Sequence, residues 1–201
     1  QGNLHVSCSL APAKRIDRFG AGFMMLAAVS VVDAIDTVPG LENRAGIKWV
    51  NDILIDDAKV CGVLAYTQTM ADVVTSTVVG IGLNVETTPS VAPTPYVPEV
   101  GSLCDIVADR QTCNQAELLN ALMNSLDRNY RSLTNGRYDT LLNRYRERSI
   151  VTGREVEIHS DDSSAEPRVL ARGRVKGLNQ DLELILEGSD HPISRGRLVL
   201  K

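Results

Sequence analysis

The chain opens with apolar residues at every second position from Leu4 to Leu10, separated by polar ones. This period of two predicts a strand with one buried face over residues 4–10. Over residues 19–35, apolar and small side chains recur every three or four positions, which predicts a helix packed against a core. Pro39 and Gly40 indicate that this helix ends before them.

The middle of the chain is rich in β-branched and apolar runs bounded by turn residues. These runs predict three strands, over residues 47–55, 60–68 and 73–85. The first two are joined by the short polar segment 56–58, as in a hairpin. Residues 87–98 hold four prolines and show no periodicity, which predicts a surface loop.

The last third of the chain changes from helical to strand periodicity. Asn114, with Glu117 three residues later, matches a capping box and predicts a helix that ends at Asn135 and Gly136. A second helix is predicted over residues 138–147. Short alternating segments then predict four strands, over residues 155–159, 169–175, 182–186 and 197–200. Strands this short, joined by polar turns, indicate a small β-barrel.

These elements predict an α+β fold in two parts. Residues 1–149 would form a mixed, mostly antiparallel sheet with helices packed on one face, and residues 150–201 would form the barrel. The 201 residues are 43% hydrophobic, which suffices for one full core and a small second one.

Charge and apolar content narrow the class of partner. A formal net charge of -4 and a pI near 5.4 argue against binding to nucleic acid or to an anionic membrane. The longest apolar stretch, residues 21–32, is shorter than the roughly 20 residues that a membrane span needs. We therefore expect a cytoplasmic protein whose partners are small molecules and other proteins.

Cysteine and histidine positions do not predict a metal centre. The 4 cysteines show no CxxC spacing and no neighbouring histidine, so they are interpreted as ordinary thiols. His5, His159 and His191 lie in unrelated contexts and are expected to be surface or half-buried side chains. No metal site built from protein ligands is predicted.

The least usual combination of residues is the segment 48–52, Lys-Trp-Val-Asn-Asp, followed by Lys59 in the next predicted strand. Amide and carboxylate groups left unpaired in a core are costly, so Asn51 and Asp52 require partners. One interpretation is that they bind a ligand. The other is that they satisfy the backbone of a turn, as Asn and Asp often do.

A second unusual segment contains Gly80, Gly82 and then Asn84 in a predicted strand. Glycines two positions apart let a flat ligand lie against the backbone, although glycines with a structural role are the simpler interpretation. The spacing matches neither the dinucleotide fingerprint nor a phosphate-binding loop.

Taken together, these motifs resemble those of the biotin-protein ligases. That family carries a KWPND strand, a K-(L/I)-(A/S)-G-(I/V)-L strand and a G-I-G-(I/L)-N strand. This chain has KWVND from Lys48, KVCGVL from Lys59 and GIGLN from Gly80, in the same order. Its segment 2–7, GNLHVS, is similar to the family's GNLYLS strand. The resemblance covers nearly the whole chain and implies a class II synthetase-like catalytic domain followed by an SH3-like β-barrel.

The resemblance also implies a reaction. Biotin and ATP, with Mg2+, would give biotinyl-5'-adenylate, and biotin would then pass to a lysine of a biotin carboxyl carrier protein domain. Lys59 matches the family's catalytic lysine, which neutralises the like charges of the reacting carboxylate and phosphate. Asp52 matches the motif's aspartate and would orient or deprotonate the carrier lysine, with a role near magnesium as the second choice.

The same motifs imply a set of substrate-binding residues. Gly62 and Val63 match positions that border the biotin ring system. Positions on the nucleotide side are matched by Asn51, Gly80, Gly82 and Asn84. Lys48 and Trp49 of the first motif complete the set.

The chain departs from the family's pattern in four places. Val50 replaces the motif's proline, and Cys61 stands where a smaller residue is usual. Ala65 and Tyr66 replace a valine and a glutamate, which alters part of the biotin pocket. The arginine-rich GRGRxGRxW loop that covers the adenylate is absent, and its place is just before Gln1.

Two other functions stay open at this point. One is a lipoate or octanoate transferase on the same scaffold, although the Trp49 motif and the predicted barrel favour biotin. The other is a catalytically silent homologue that only binds a ligand or a partner. The sequence also leaves open whether the protein is a homodimer.

The start of the chain carries one further expectation. A central sheet that began with residues 4–10 would expose a long apolar edge, which soluble proteins avoid. We therefore expect further strands upstream. We also expect Gln1 to lie beside a pocket bounded by Lys59, Asn51 and Gly82.

Overall fold

A computed structural model describes residues 2–161 and 168–201. Its strands are Leu4–Leu10 (β1), Gly46–Lys48 (β2), Asp52–Ile55 (β3), Ala58–Met70 (β4), Val73–Leu83 (β5), Glu155–His159 (β6), Val169–Leu178 (β7), Leu184–Leu186 (β8) and Arg197–Leu200 (β9). Its α-helices are Phe19–Ile35 (α1), Leu103–Ile106 (α2), Gln115–Thr134 (α3) and Tyr138–Glu147 (α4). The predicted helices 19–35 and 138–147 and the predicted strands 4–10, 155–159 and 197–200 are confirmed.

Strands β1 to β5 form one sheet in the order β1, β5, β4, β3, β2, and each neighbouring pair is antiparallel. Parallel pairing is confined to isolated bridges such as Ile47 with Ser149 and Lys59 with Val100. The predicted antiparallel character is confirmed. Short connections explain it, because strands joined by tight turns can only run antiparallel.

The predicted strand over residues 47–55 is wrong in its extent. These residues form two strands, β2 and β3, with Lys48 opposite Asp52. The chain turns at Trp49, whose buried indole Nε1 donates a hydrogen bond to the carbonyl oxygen of Leu182 at 2.7 Å. Asn51 Nδ2 donates to the carbonyl oxygen of Val63 at 2.9 Å. These long-range hydrogen bonds specify a turn that the apolar pattern alone does not reveal.

Three helices cover one face of the sheet. α1 is buried on most sides because it packs against β3, β4 and β5 inside and against α3 and α4 outside. Asn114 caps α3 by accepting from the backbone N–H groups of Ala116 and Glu117 at 2.9 and 3.2 Å. The predicted N-cap is therefore confirmed.

Asp33 of α1 joins the three helices through a polar cluster. Its carboxylate accepts hydrogen bonds from Ser125 at 2.9 Å and Arg128 at 2.8 Å, and it also pairs with Arg144. Burial alone would raise the pKa of Asp33, but the hydrogen bonds from Arg144 and Ser125 hold that pKa below its ordinary value. The ionised carboxylate therefore stabilises the helical layer.

Replacing Asp33 with Asn is expected to lower the free energy of unfolding by about 2 kcal/mol, because Arg144 loses its carboxylate partner. Since the pKa of Asp33 is lower in the folded state, this stabilisation is present at neutral pH and lost as the pH falls through the carboxyl range. Urea denaturation at several pH values measures both effects. Asp127→Asn, which removes an exposed pair with Arg131, is the control, and equal midpoints for the two variants would contradict the assignment.

The C-terminal strands form a second antiparallel sheet in the order β8, β7, β6, β9. An isolated bridge between Leu184 and Ile193 extends it, but the described residues do not show a closed barrel. The predicted barrel is therefore not confirmed. The predicted division between residues 149 and 150 stays a prediction, and Ile150 N–H donates across it to the carbonyl oxygen of Ile47 at 3.0 Å.

Strand β1 forms one edge of the main sheet, which concerns the expectation of further strands upstream. Strand β1 pairs with β5 on one side, and the described residues supply no strand for its other side. Gln1 itself lies outside the described residues. None of the described helices is long and apolar enough to cross a membrane.

Candidate active site

The sheet face opposite the helices has a floor of bare backbone. The register aligns His5 of β1 with Gly82 of β5, and Gly82 with Gly62 of β4. Two residues further along β1, Ser7 is aligned with Gly80. Because the glycines have no side chains, a ligand can approach the backbone there closely. A Cβ atom added at Gly62 would lie 3.4 Å from both Cε and Nζ of Lys59.

Lys59 and Asp52 form an ion pair at this floor. Lys59 Nζ lies 2.5 Å from Asp52 Oδ1, and the two side chains are 29% and 17% exposed. The pair joins adjacent strands, because Asp52 of β3 faces Gly62 of β4 across the ladder. The ammonium group is thus held in place and still reaches solvent.

Lys48 is a third charged residue near this ion pair, but unlike Lys59 it is buried. It is 5% exposed, and its Nζ donates to the carbonyl oxygen of Tyr96. Burial lowers the pKa of Lys48, the charge of Asp52 raises it, and the charges of Lys59 and Arg197 lower it further. The hydrogen bond to Tyr96 ties Lys48 to the loop of residues 87–101.

Two cavities meet at Lys59, Gly62 and Gly82. The first, which we call the sheet cavity, has a volume of about 430 Å³ and lies over β1, β5 and β4. The second, the loop cavity, has a volume of about 370 Å³. Its walls come from the proline-rich loop and from Arg197 of the second sheet. A larger depression of about 580 Å³ between α3 and α4 is less suited to catalysis, because most of its arginines are paired with Asp33 or Asp127.

The structure brings most of the predicted site residues together. The sheet cavity is lined by Asn51, Lys59, Gly62, Val63, Gly80 and Gly82. The loop cavity adds Asn84, whose Nδ2 donates to the carbonyl oxygen of Gly101 at 3.0 Å. The simpler interpretation made from the sequence, that the Asn51 side chain satisfies backbone groups, holds in part, because its amide nitrogen donates to a carbonyl oxygen of β4.

Trp49 and Lys48 line neither cavity. Trp49 is 6% exposed and is hydrogen-bonded to Leu182 in the turn between β7 and β8, so it links the main sheet to the C-terminal part of the chain. The substrate-binding roles that the motifs imply for Lys48 and Trp49 stay predictions.

Three residues near the site were not predicted from the sequence. Tyr96 anchors the loop: its hydroxyl lies 3.0 Å from Nδ1 of His159, and the guanidinium carbon of Arg197 lies 3.6 Å from its ring centre. Arg197 reaches the loop cavity from a strand far away in sequence, which no local pattern signals. His5 had a signal, since alternation along β1 places it opposite the buried face.

The donor set does not fit a magnesium ion held by protein ligands. The described residues contain no group of three or more His, Cys, Asp or Glu side chains that could hold a metal. Asp52 is the one carboxylate at the cavity floor, and it is already paired with Lys59. Magnesium prefers several oxygen ligands in octahedral geometry, and two lysines beside a single carboxylate oppose it.

Three curated relatives match this chain, and two of them show the range of the match. The chain is 33% identical over 113 residues to the bifunctional ligase/repressor BirA of Bacillus subtilis, covering 56% of this chain and 34% of that protein. It is 35% identical over 69 residues to the biotin--[acetyl-CoA-carboxylase] ligase of Paracoccus denitrificans, covering 34% of this chain and 29% of that protein. The chain therefore spans about a third of the length of these relatives. No protein-family model matches it.

A solved structure extends the likeness to the whole fold. The biotin protein ligase from Aquifex aeolicus, solved in complex with biotin and ATP, superposes with a TM-score of 0.74. The match has 20% sequence identity and covers 100% of this chain and 79% of that chain. At this identity the likeness establishes the fold alone. Together, the curated relatives and the shared fold confirm the resemblance to biotin-protein ligases that the motifs indicate.

Proposed function

We propose that this chain activates biotin with ATP to form biotinyl-5'-adenylate and transfers the biotin to a lysine of a biotin carboxyl carrier protein domain. One observation carries the proposal. Lys59 stands at the junction of two cavities, fixed by Asp52 at 2.5 Å. A reaction that joins a carboxylate to a nucleotide needs a cation at such a junction.

The charge requirement explains the role of Lys59. Attack of the biotin carboxylate on the α-phosphate brings two anions together, and negative charge builds on the phosphate oxygens. A preorganised cation in a partly desolvated site stabilises that charge far better than one in water. Lys59 meets this requirement because its ammonium group is held on one side and open to both cavities.

The two cavities suit the two substrates differently. We assign biotin to the sheet cavity, where Gly62, Gly80 and Gly82 lack side chains and let its ring system lie close against the sheet. The loop cavity has apolar walls, Asn84 and the Arg197 guanidinium group, which suit a purine ring and its phosphates. Under this assignment Asn51 and Gly80 border biotin rather than the nucleotide side that the motifs imply.

Asp52 serves both steps in this proposal. Its Oδ1 holds Lys59 in position. Oδ2 has no hydrogen bond or ion pair in the part of the chain that the structure describes, and it can attract the ammonium group of the incoming carrier lysine. We also propose that the second sheet corresponds to the SH3-like module of the biotin-protein ligases and contributes Arg197 to the site.

Biotin-dependent exchange of labelled pyrophosphate into ATP tests the proposed activity. The full-length protein is expected to catalyse exchange with biotin, and to label a purified carrier domain when that domain is added. Lipoate and octanoate are the comparison substrates. Exchange with either of them in place of biotin would overturn the biotin assignment in favour of the lipoate or octanoate transferase.

Gly62→Ala tests the bare floor beneath Lys59. The added methyl group would be in van der Waals contact with Cε and Nζ of Lys59 at 3.4 Å, and it would occupy the floor on which biotin is proposed to lie. We expect exchange to fall by about 10-fold or more, since a substrate shifted from its reacting position reacts much more slowly, while the melting temperature changes little. Gly177→Ala is the control, because a Cβ added there meets nothing within 4 Å. Equal exchange rates in the two variants would exclude a role for the open floor.

A further inference from the structure

His5 is a titratable side chain of the sheet cavity that the proposed mechanism does not use. It belongs to β1, where it is aligned with Gly82 of β5, and Gly82 is aligned with Gly62 of β4. Nδ1 of His5 lies 3.8 Å from the position that a Cβ on Gly82 would occupy. The imidazole therefore stands over bare backbone, on the same cavity wall as Lys59.

The ring of His5 is exposed and has no hydrogen bond or ion pair within residues 2–161 and 168–201. His159 provides a contrast, since its two ring nitrogens contact the hydroxyl of Tyr96 at 3.0 Å and Glu157 at 3.3 Å. Both ring nitrogens of His159 therefore have partners within the protein. His5 keeps a ring nitrogen available to a molecule that enters the cavity.

The charged groups that face this region come from neighbouring elements. Lys59 lines the cavity from β4, and Asp52 of β3 is paired with it. Glu86 follows β5 and lies beside Gly2, where an added Cβ would be 2.9 Å from its Oε2. Of these groups, Asp52 is engaged at the cavity floor. His5 is exposed on the wall of the sheet cavity.

We propose that His5 is the proton acceptor for the carrier lysine in the transfer step, a role that rests on the proposed function. The lysine nitrogen forms a bond to the acyl carbon of the adenylate, and the bond from that carbon to the phosphate oxygen breaks. AMP leaves with the electron pair of that bond. Before this attack the lysine ammonium gives one proton to the ring nitrogen of His5, which passes it to solvent, and the second proton of the nitrogen leaves to solvent as the amide forms.

The chemistry of imidazole supports this assignment. A lysine side chain is protonated at neutral pH, so it must lose one proton to become a nucleophile, the proton that His5 accepts, and a second proton as the amide forms. Imidazole is the side chain whose ordinary titration lies closest to neutral pH, so it can take up and release a proton under the same conditions. Asp52 can attract the ammonium group, while His5 receives the proton.

Two substitutions at one position test the proposal in the full-length protein. His5→Gln and His5→Phe are compared with His191→Gln, which alters an exposed histidine outside both cavities. Single-turnover transfer from purified biotinyl-5'-adenylate to the carrier domain is expected to fall on the order of 100-fold in both His5 variants. Biotin-dependent pyrophosphate exchange is measured in the same preparations, and in both His5 variants the loss of transfer is expected to exceed any loss of exchange, while His191→Gln loses neither.

Two measurements separate proton transfer from a structural role. Hydroxylamine, a nucleophile already uncharged at neutral pH, should react with the enzyme-bound adenylate at equal rates in all variants. Added imidazole should partly restore transfer in His5→Gln.

Different results would contradict the role of His5 and the proposed function. Unchanged transfer in His5→Phe, or an equal loss with hydroxylamine and with the carrier lysine, would overturn the role of His5 while leaving the proposed function standing. No exchange with biotin in the unsubstituted protein would overturn the proposed function and this role with it.

Discussion

Lys59→Ala is expected to abolish formation of the adenylate while the fold stays intact. The ammonium group lies at the junction of the two cavities and is 29% exposed, so it contributes charge at the reacting centre rather than core packing. Removing one preorganised charge from such a centre costs on the order of 100-fold or more in rate. Biotin-dependent pyrophosphate exchange measures this step directly.

Lys176→Ala, at an exposed lysine of β7, is the matched control for this variant. It removes the same charge from the protein and leaves the cavities untouched. Circular dichroism should give the same melting temperature for both variants within a few degrees. Exchange in Lys59→Ala at the rate of the control would remove Lys59 from the mechanism and, with it, the observation that carries the proposed function.

Asp52→Asn is expected to separate the two half-reactions. The amide keeps the size of the carboxylate and can still accept a hydrogen bond from Lys59 through its oxygen, so adenylate formation should be close to normal. Transfer should fail, because the negative charge that attracts the carrier lysine is gone. A loss on the order of 100-fold is expected for that step.

The test for Asp52 compares exchange with transfer from purified biotinyl-5'-adenylate in the same preparation. An equal loss in both half-reactions would instead show that Asp52 acts through Lys59, whose ammonium group it holds at 2.5 Å. Asp56→Asn provides a control, since Asp56 lies in the nearby turn and pairs with Arg44 outside the cavities. The two outcomes for Asp52 are therefore distinct and measurable.

The C-terminal sheet contributes to the site through Tyr96. The backbone carbonyl oxygen of Tyr96 accepts a hydrogen bond from buried Lys48, and the Tyr96 side chain contacts His159 through its hydroxyl and Arg197 through its ring. The loop that walls the second cavity is thus held from both sheets. The hydrogen bond to Tyr96 accounts for the burial of Lys48, which the family motifs place among the substrate-binding residues.

The sequence by itself determined the elements whose cause is local. Alternation and three-to-four spacing placed β1, α1, α4 and the strands β6 and β9, because one buried face imposes that period on the residues. The cap at Asn114 followed from a short-range hydrogen bond. The family motifs also indicated Lys59 and Asp52 as candidate catalytic residues with separate roles, and the structure shows that they form an ion pair between adjacent strands.

Only the tertiary structure decided which of the other motif residues meet. Trp49 turns away to bond Leu182, and the chain bends there because of a partner 133 residues away. Arg197 reaches the loop cavity from the last strand, and His5 reaches the sheet cavity through register with Gly82. Contacts between residues distant in sequence depend on strand order and register. A periodic pattern specifies the face a side chain occupies, but not the neighbour that it meets on that face.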